Sequence, residues 1–157
     1  DVTEQDVRTA LSEGRVTSGA NGFISISGAN PGDLIETGAG TGVELTVRVQ
    51  TPSWASATDL VTVVNGEQVD HQTIAADPGV IEDFNETQTI TVSEDSWVVF
   101  FAHGPNAGGP LGSGKPTVLF TNPVFIDVDG DADSDGAKWE APGLRAIDVP
   151  GVDAFCQ

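Results

Sequence analysis

The sequence predicts an all-β chain: an antiparallel β-sandwich, immunoglobulin-like or jelly-roll-like, of about seven strands with a short N-terminal helix. Three observations carry that expectation. Val43, Leu45, Val47 and Val49 alternate strictly with Glu44, Thr46, Arg48 and Gln50, the pattern of a strand with one face in a core and one in water. Leu60 to Val64 and Glu67 to Ile74 flank Asn65-Gly66, a pair that supplies the two positive φ angles of a type I′ hairpin turn. Ser96 to Ala102 (Ser-Trp-Val-Val-Phe-Phe-Ala) is apolar on both faces, as a central buried strand is. No helix–strand alternation and no internal repeat competes with this reading.

Taken in order, the chain opens on a helix. Thr3-Glu4-Gln5-Asp6 precedes Val7, Ala10 and Leu11, with Thr3 as the N-cap, Asp6 in the favourable first turn and Gly14 as the stop. Phe23, Ile24 and Ile26 then mark a first strand, broken by Gly28-Ala29-Asn30-Pro31-Gly32. Gly38-Ala39-Gly40-Thr41-Gly42 reads as a flexible loop. After the hairpin, Thr89 to Val92 begins another strand. Gly104 to Pro116, rich in Gly and Pro, reads as a long loop. Val118 to Ile126 is the last core strand, and its interior Pro123 implies an edge or a bulge. Beyond Gly136 the pattern fades through Trp139-Glu140-Ala141-Pro142-Gly143 into a tail. The expected organisation is a helix over 1–15 that ends a missing upstream domain, a sandwich over 16–143, and a C-terminal tail over 144–157.

At 157 residues the chain is long enough for one domain with a substantial core. Its 24 acidic against 6 basic residues give a formal net charge of −18, which argues against nucleic acid or an anionic membrane surface as partner. There is no apolar run near membrane-spanning length and no basic–apolar signal segment. The chain contains no Met and begins with Asp1, which reads as a mature or trimmed piece of a larger protein, expected to be secreted or periplasmic. A single cysteine, Cys156, makes no internal disulfide; near the C-terminus it reads as an inert thiol, with half of an intermolecular bridge as the alternative.

The chemistry concentrates between Phe120 and Gly136, where an apolar strand runs into aspartates on alternate positions: Asp127, Asp129, Asp131, Asp133 and Asp135. Two such carboxylates about 7 Å apart repel by roughly 0.6 kcal/mol in water, and by a few kcal/mol at an effective dielectric near 20. Full solvation offsets that repulsion, or a hard cation that takes oxygen ligands, for which Ca²⁺ is the candidate; both readings stay open. An EF-hand is not expected. Counting from Asp131 puts Gly136 at position 6 but Pro142 at position 12, and counting from Asp129 puts Glu140 at position 12 but Ser134 where glycine belongs. Mg²⁺ suits the spacing less, because it demands tight octahedral geometry.

Other candidates read as structural. His71 and His103 fall on different expected strands without metal-ligand spacing. Ser93 to Ser96 contains Glu94 and Asp95 but no nucleophile motif. Gly112-Ser113-Gly114-Lys115-Pro116 lacks the phosphate-loop frame. Trp97 is expected in the core. Trp54 and Trp139 lie in expected loops, where an aromatic sugar platform is the alternative to packing.

Several short segments, in order, resemble the C-terminal β-sandwich of PHP-type (polymerase and histidinol phosphatase) metallohydrolases, the carbamate-hydrolase-like subgroup. They are Ala10-Leu11-Ser12-Glu13-Gly14-Arg15 with Ser18-Gly19, Pro31-Gly32-Asp33, Pro52-Ser53-Trp54, Val64-Asn65-Gly66, Asp95-Ser96-Trp97-Val98-Val99, Phe120-Thr121-Asn122-Pro123-Val124-Phe125 and Asp127-Val128-Asp129-Gly130-Asp131. The resemblance implies that hydrolysis belongs to a preceding barrel, whose His and Asp ligand motifs this chain lacks. The chain would then be a non-catalytic accessory domain with no enzyme activity of its own, its partner the upstream barrel. The alternative is a calcium-dependent module that binds carbohydrate or another surface polymer.

Overall fold

In the computed structural model, which describes residues 1–75, 80–108 and 114–129, the chain forms one short helix and ten strands among those residues. Helix α1 spans Glu4–Ser12. Its start is fixed by a reciprocal capping box. The Asp6 backbone N–H donates to Thr3 Oγ1 at 3.2 Å, and Asp6 Oδ2 accepts from the Thr3 N–H at 2.8 Å. Gly14, at φ +70°, turns the chain out of the helix. No residue of α1 is buried; Val7 and Leu11 are 49% and 62% exposed.

The strands are β1 (Thr17–Ala20), β2 (Phe23–Ser27), β3 (Leu34–Glu36), β4 (Gly42–Gln50), β5 (Asp59–Val64), β6 (Glu67–Thr73), β7 (Glu82–Thr91), β8 (Ser96–Asn106), β9 (Pro116–Thr121) and β10 (Val124–Asp127). They make two layers, as the alternation predicts. A three-stranded sheet runs β2-β4-β7. A seven-stranded sheet carries the path β1-β9-β8-β10-β3, with β5 on β8 and β6 on β5. All pairs are antiparallel except β3 with β10, which run parallel.

Strand β8 is the hub. One side pairs with β5 (Leu60↔Ala102, Thr62↔Phe100, Val64↔Val98); the other pairs with β9 (Phe101↔Phe120) and then β10 (Val98↔Val124). Pro123 explains the change of partner. It has no N–H for the ladder, so the expected single strand 118–126 breaks at Asn122-Pro123 into β9 and β10. The break is tied down: Gly32 N–H donates to the Pro123 carbonyl at 2.7 Å, and Asn122 Nδ2 donates to the Gly14 carbonyl at 3.1 Å.

The core lies between the layers. Val43, Leu45, Val47 and Val49 of β4 face Leu60, Val98, Phe100, Ala102, Leu119, Val124 and Ile126 of the large sheet. Phe100, Leu45, Leu119 and Ile126 are fully buried, each contributing about 1.5–3 kcal/mol relative to an exposed side chain. The Asn65-Gly66 hairpin turn is as expected, with φ of 52° and 86°.

The structure corrects several boundaries. Strands β1 and β3 are additional, β7 begins at Glu82 rather than Thr89, and β8 runs to Asn106 into the expected loop. Trp97 is not a core residue. It alternates with the buried Ser96 and Val98 and is half-buried on the outer side of the large sheet.

Candidate metal centre

Strand register assembles the site. Strand β10 pairs with β8 through Val124↔Val98, Phe125↔Trp97 and Ile126↔Ser96, so the next position sets Asp127 opposite Asp95. On its other side Asp127 pairs with Glu36 of β3. Asp129 follows two residues later, in a bend. Carboxylate oxygens of Asp95, Asp127 and Asp129 all lie within 4.8 Å of one another, close enough to hold a metal ion. Burial is graded across them: Asp127 is fully buried, Asp95 half-buried and Asp129 exposed.

The local backbone holds this arrangement. The Val128 N–H, between the two later aspartates, donates to Asp95 Oδ1 at 2.9 Å. The Thr37 N–H donates to the Asp127 carbonyl at 2.8 Å, fixing the end of β10 against the segment after β3. Asp95 itself sits in the bend that starts β8. That bend is braced by the hairpin turn: Asn65 Oδ1 accepts from the Trp97 N–H at 2.9 Å, and Asn65 Nδ2 donates to Ser96 Oγ at 3.1 Å. Ser96 Oγ in turn donates to the Glu94 carbonyl at 2.7 Å.

Chemically the cluster is a concentration of hard oxygen donors. Two unit charges at this separation repel by on the order of 3 kcal/mol at an effective dielectric near 20. Taking one of them wholly out of water adds a desolvation cost of several kcal/mol. A divalent cation held among them would offset both penalties.

Of the aspartates singled out from sequence, Asp127 and Asp129 therefore come together at one place; Asp131, Asp133 and Asp135 lie outside the described residues, as do Trp139, Glu140 and Cys156. Sequence reasoning missed Asp95, which lies 32 positions before Asp127 and meets it only through the β8–β10 register. The available signal was an acid immediately preceding a strongly predicted strand.

The histidines lie on different strands, as expected, and share one neighbour. His71 on β6 and His103 on β8 stand on either side of one carboxylate, Asp59 of β5. Trp54 is 40% exposed in the segment after β4. No protein-family model and no curated protein matches the chain.

Proposed function

We propose that this chain is a non-catalytic accessory β-sandwich of a larger metal-dependent hydrolase, stiffened by Ca²⁺ held by Asp95, Asp127 and Asp129. The observation that carries the reading is the complete burial of Asp127 beside two further carboxylates. An all-oxygen donor set drawn from a bend, a strand end and a second bend suits the irregular, six- to eight-coordinate sphere of Ca²⁺ better than the strict octahedron of Mg²⁺. Water would complete the coordination sphere. Asp131, Asp133 and Asp135 stay in the proposal through their sequence proximity alone.

The ion would act on the fold rather than on a substrate. It would bind the start of β8 to the end of β10, the strand that follows the break at Pro123. The accessory role draws support from α1, whose apolar residues Val7 and Leu11, one helical turn apart, stand exposed and suit packing against a neighbouring domain. The family resemblance names that neighbour as a catalytic barrel.

The test is thermal unfolding after EDTA treatment, with and without millimolar Ca²⁺, beside a Mg²⁺ control. An ion at about 100 times its dissociation constant that binds only the native state adds roughly 2.7 kcal/mol. For a domain of this size that raises the midpoint by several degrees. The rise should be selective for Ca²⁺ and absent in Asp127→Asn. A wild-type midpoint indifferent to Ca²⁺ overturns the proposal.

A further inference from the structure

Away from the aspartate cluster, three strands of the large sheet bring their titratable side chains to one point. Asp59 on β5 accepts a hydrogen bond from His71 Nε2 on β6, 2.8 Å from its Oδ1. Its other oxygen, Oδ2, accepts from the Thr58 hydroxyl at 2.7 Å and lies 3.7 Å from His103 Nδ1 on β8. Ladder positions explain the convergence: Asp59 pairs with His103, and His71 pairs with Val61, one step along the same side of β5. Val118 of β9 lies across from His103 on its far side, and the Phe101 ring packs 5.6 Å from the imidazole. Among the described residues, Asp59 attracts a proton on His103 and His71 opposes it.

We infer that Asp59, His71 and His103 form a proton-sensitive clasp that makes the β6–β5–β8 end of the large sheet labile in mild acid. The clasp is asymmetric. His71 is 46% exposed on an edge strand, its Nε2 2.8 Å from Asp59 Oδ1. His103, 22% exposed and packed on Phe101, is where the fold resists a proton.

The electrostatics agree with the geometry. Burial holds His103 below its ordinary value of 6.5, and the attraction of Asp59 does not make up the loss; a proton on His71 opposes it further. Burial pushes Asp59 up, but the hydrogen bonds from Thr58 and His71 and the charges of both histidines leave it below 3.8. For a histidine whose folded value is depressed, the unfolded chain binds the proton first. Its contribution to stability is therefore complete well above pH 6.5 and is lost progressively as the pH falls toward the folded value. Asp59 contributes in the opposite range: its share persists down to about pH 4 and disappears only below it. Asp59 thus keeps its contribution between about pH 6.5 and pH 5, the range in which that of His103 declines.

Thermal midpoints of Ca²⁺-saturated wild type and His103→Gln, measured from pH 7.5 to pH 5, test the clasp. The wild-type midpoint should fall more steeply across this range than that of the variant. Should His103→Gln fail to fold, proton NMR titration of the wild type supplies a second reading: the His103 ring should titrate below 6.5. Parallel midpoint profiles, or a His103 midpoint at or above 6.5, overturn the inference.

Discussion

Thr117 and Thr121 lie four residues apart on the inner side of β9, both buried, yet they are not equivalent. Thr121 Oγ1 accepts the Phe100 N–H at 3.2 Å, while Thr117 Oγ1 has no hydrogen-bond partner among the described residues. A buried hydroxyl without a partner loses its hydration and gains nothing in exchange, a penalty of about 1–3 kcal/mol; a bonded one contributes about 0.5–1.5 kcal/mol. Valine preserves the β-branched shape. Thr117→Val should therefore raise stability by about 1 kcal/mol and Thr121→Val should lower it by a similar amount, read from urea midpoints at constant slope. Sequence presents the two threonines alike, as alternate residues of one strand. What separates them is where the Phe100 N–H falls, and that is set by register. Asp95 teaches the same lesson at the metal centre: its acidity is plain in the sequence, its partners are not.

At the scale of elements, legibility follows the strength of the local signal. Strand β4, the Asn65-Gly66 hairpin and helix α1 each declare themselves through alternation, turn chemistry or a cap, and each forms where expected. Strand β1 could not be read, because Thr17-Ser18-Gly19-Ala20 has no large apolar residue. Its small side chains answer instead to close packing on β9, where a Cβ at Gly19 would stand 2.4 Å from the Val118 carbonyl oxygen. The first half of β7 carries only one apolar residue, Phe84, packed against the core, and its pairing with β4 is supplemented by the Arg48–Glu82 ion pair. Helix α1 adds a pH-dependent element of its own. Hydrogen bonds from the Thr3 hydroxyl and N–H hold the Asp6 carboxyl below 3.8. A depressed carboxylate stabilises above its unfolded value and ceases to do so as the pH falls through its folded one. Amide exchange in Glu4–Ser12 should thus accelerate, relative to the sheets, once the pH drops below about 4. Asp6→Asn should show that fast exchange already at neutral pH.

At the scale of the whole molecule, a net charge of −18 on 157 residues makes every cation a stabiliser to some degree. This bears directly on the metal centre, since a rise in midpoint on adding CaCl₂ could come from screening alone. The two effects differ in range. Screening acts on all exposed carboxylates together and tightens as the Debye length falls from about 30 Å at 0.01 M salt to about 3 Å at 1 M. Binding at Asp127 acts at one buried carboxylate, where mobile ions reach poorly. Raising NaCl from about 0.01 M to about 0.5 M should therefore raise the midpoint of wild type and Asp127→Asn alike, by relief of self-repulsion. Millimolar CaCl₂ added on top of 0.5 M NaCl should lift the wild type further and leave the variant where it was. The increment should be smaller than at low salt, because Asp129 is exposed and screened, but it should not vanish. If it does vanish, the aspartates are part of a general ionic atmosphere, and the sandwich is held by its core and its ladders alone.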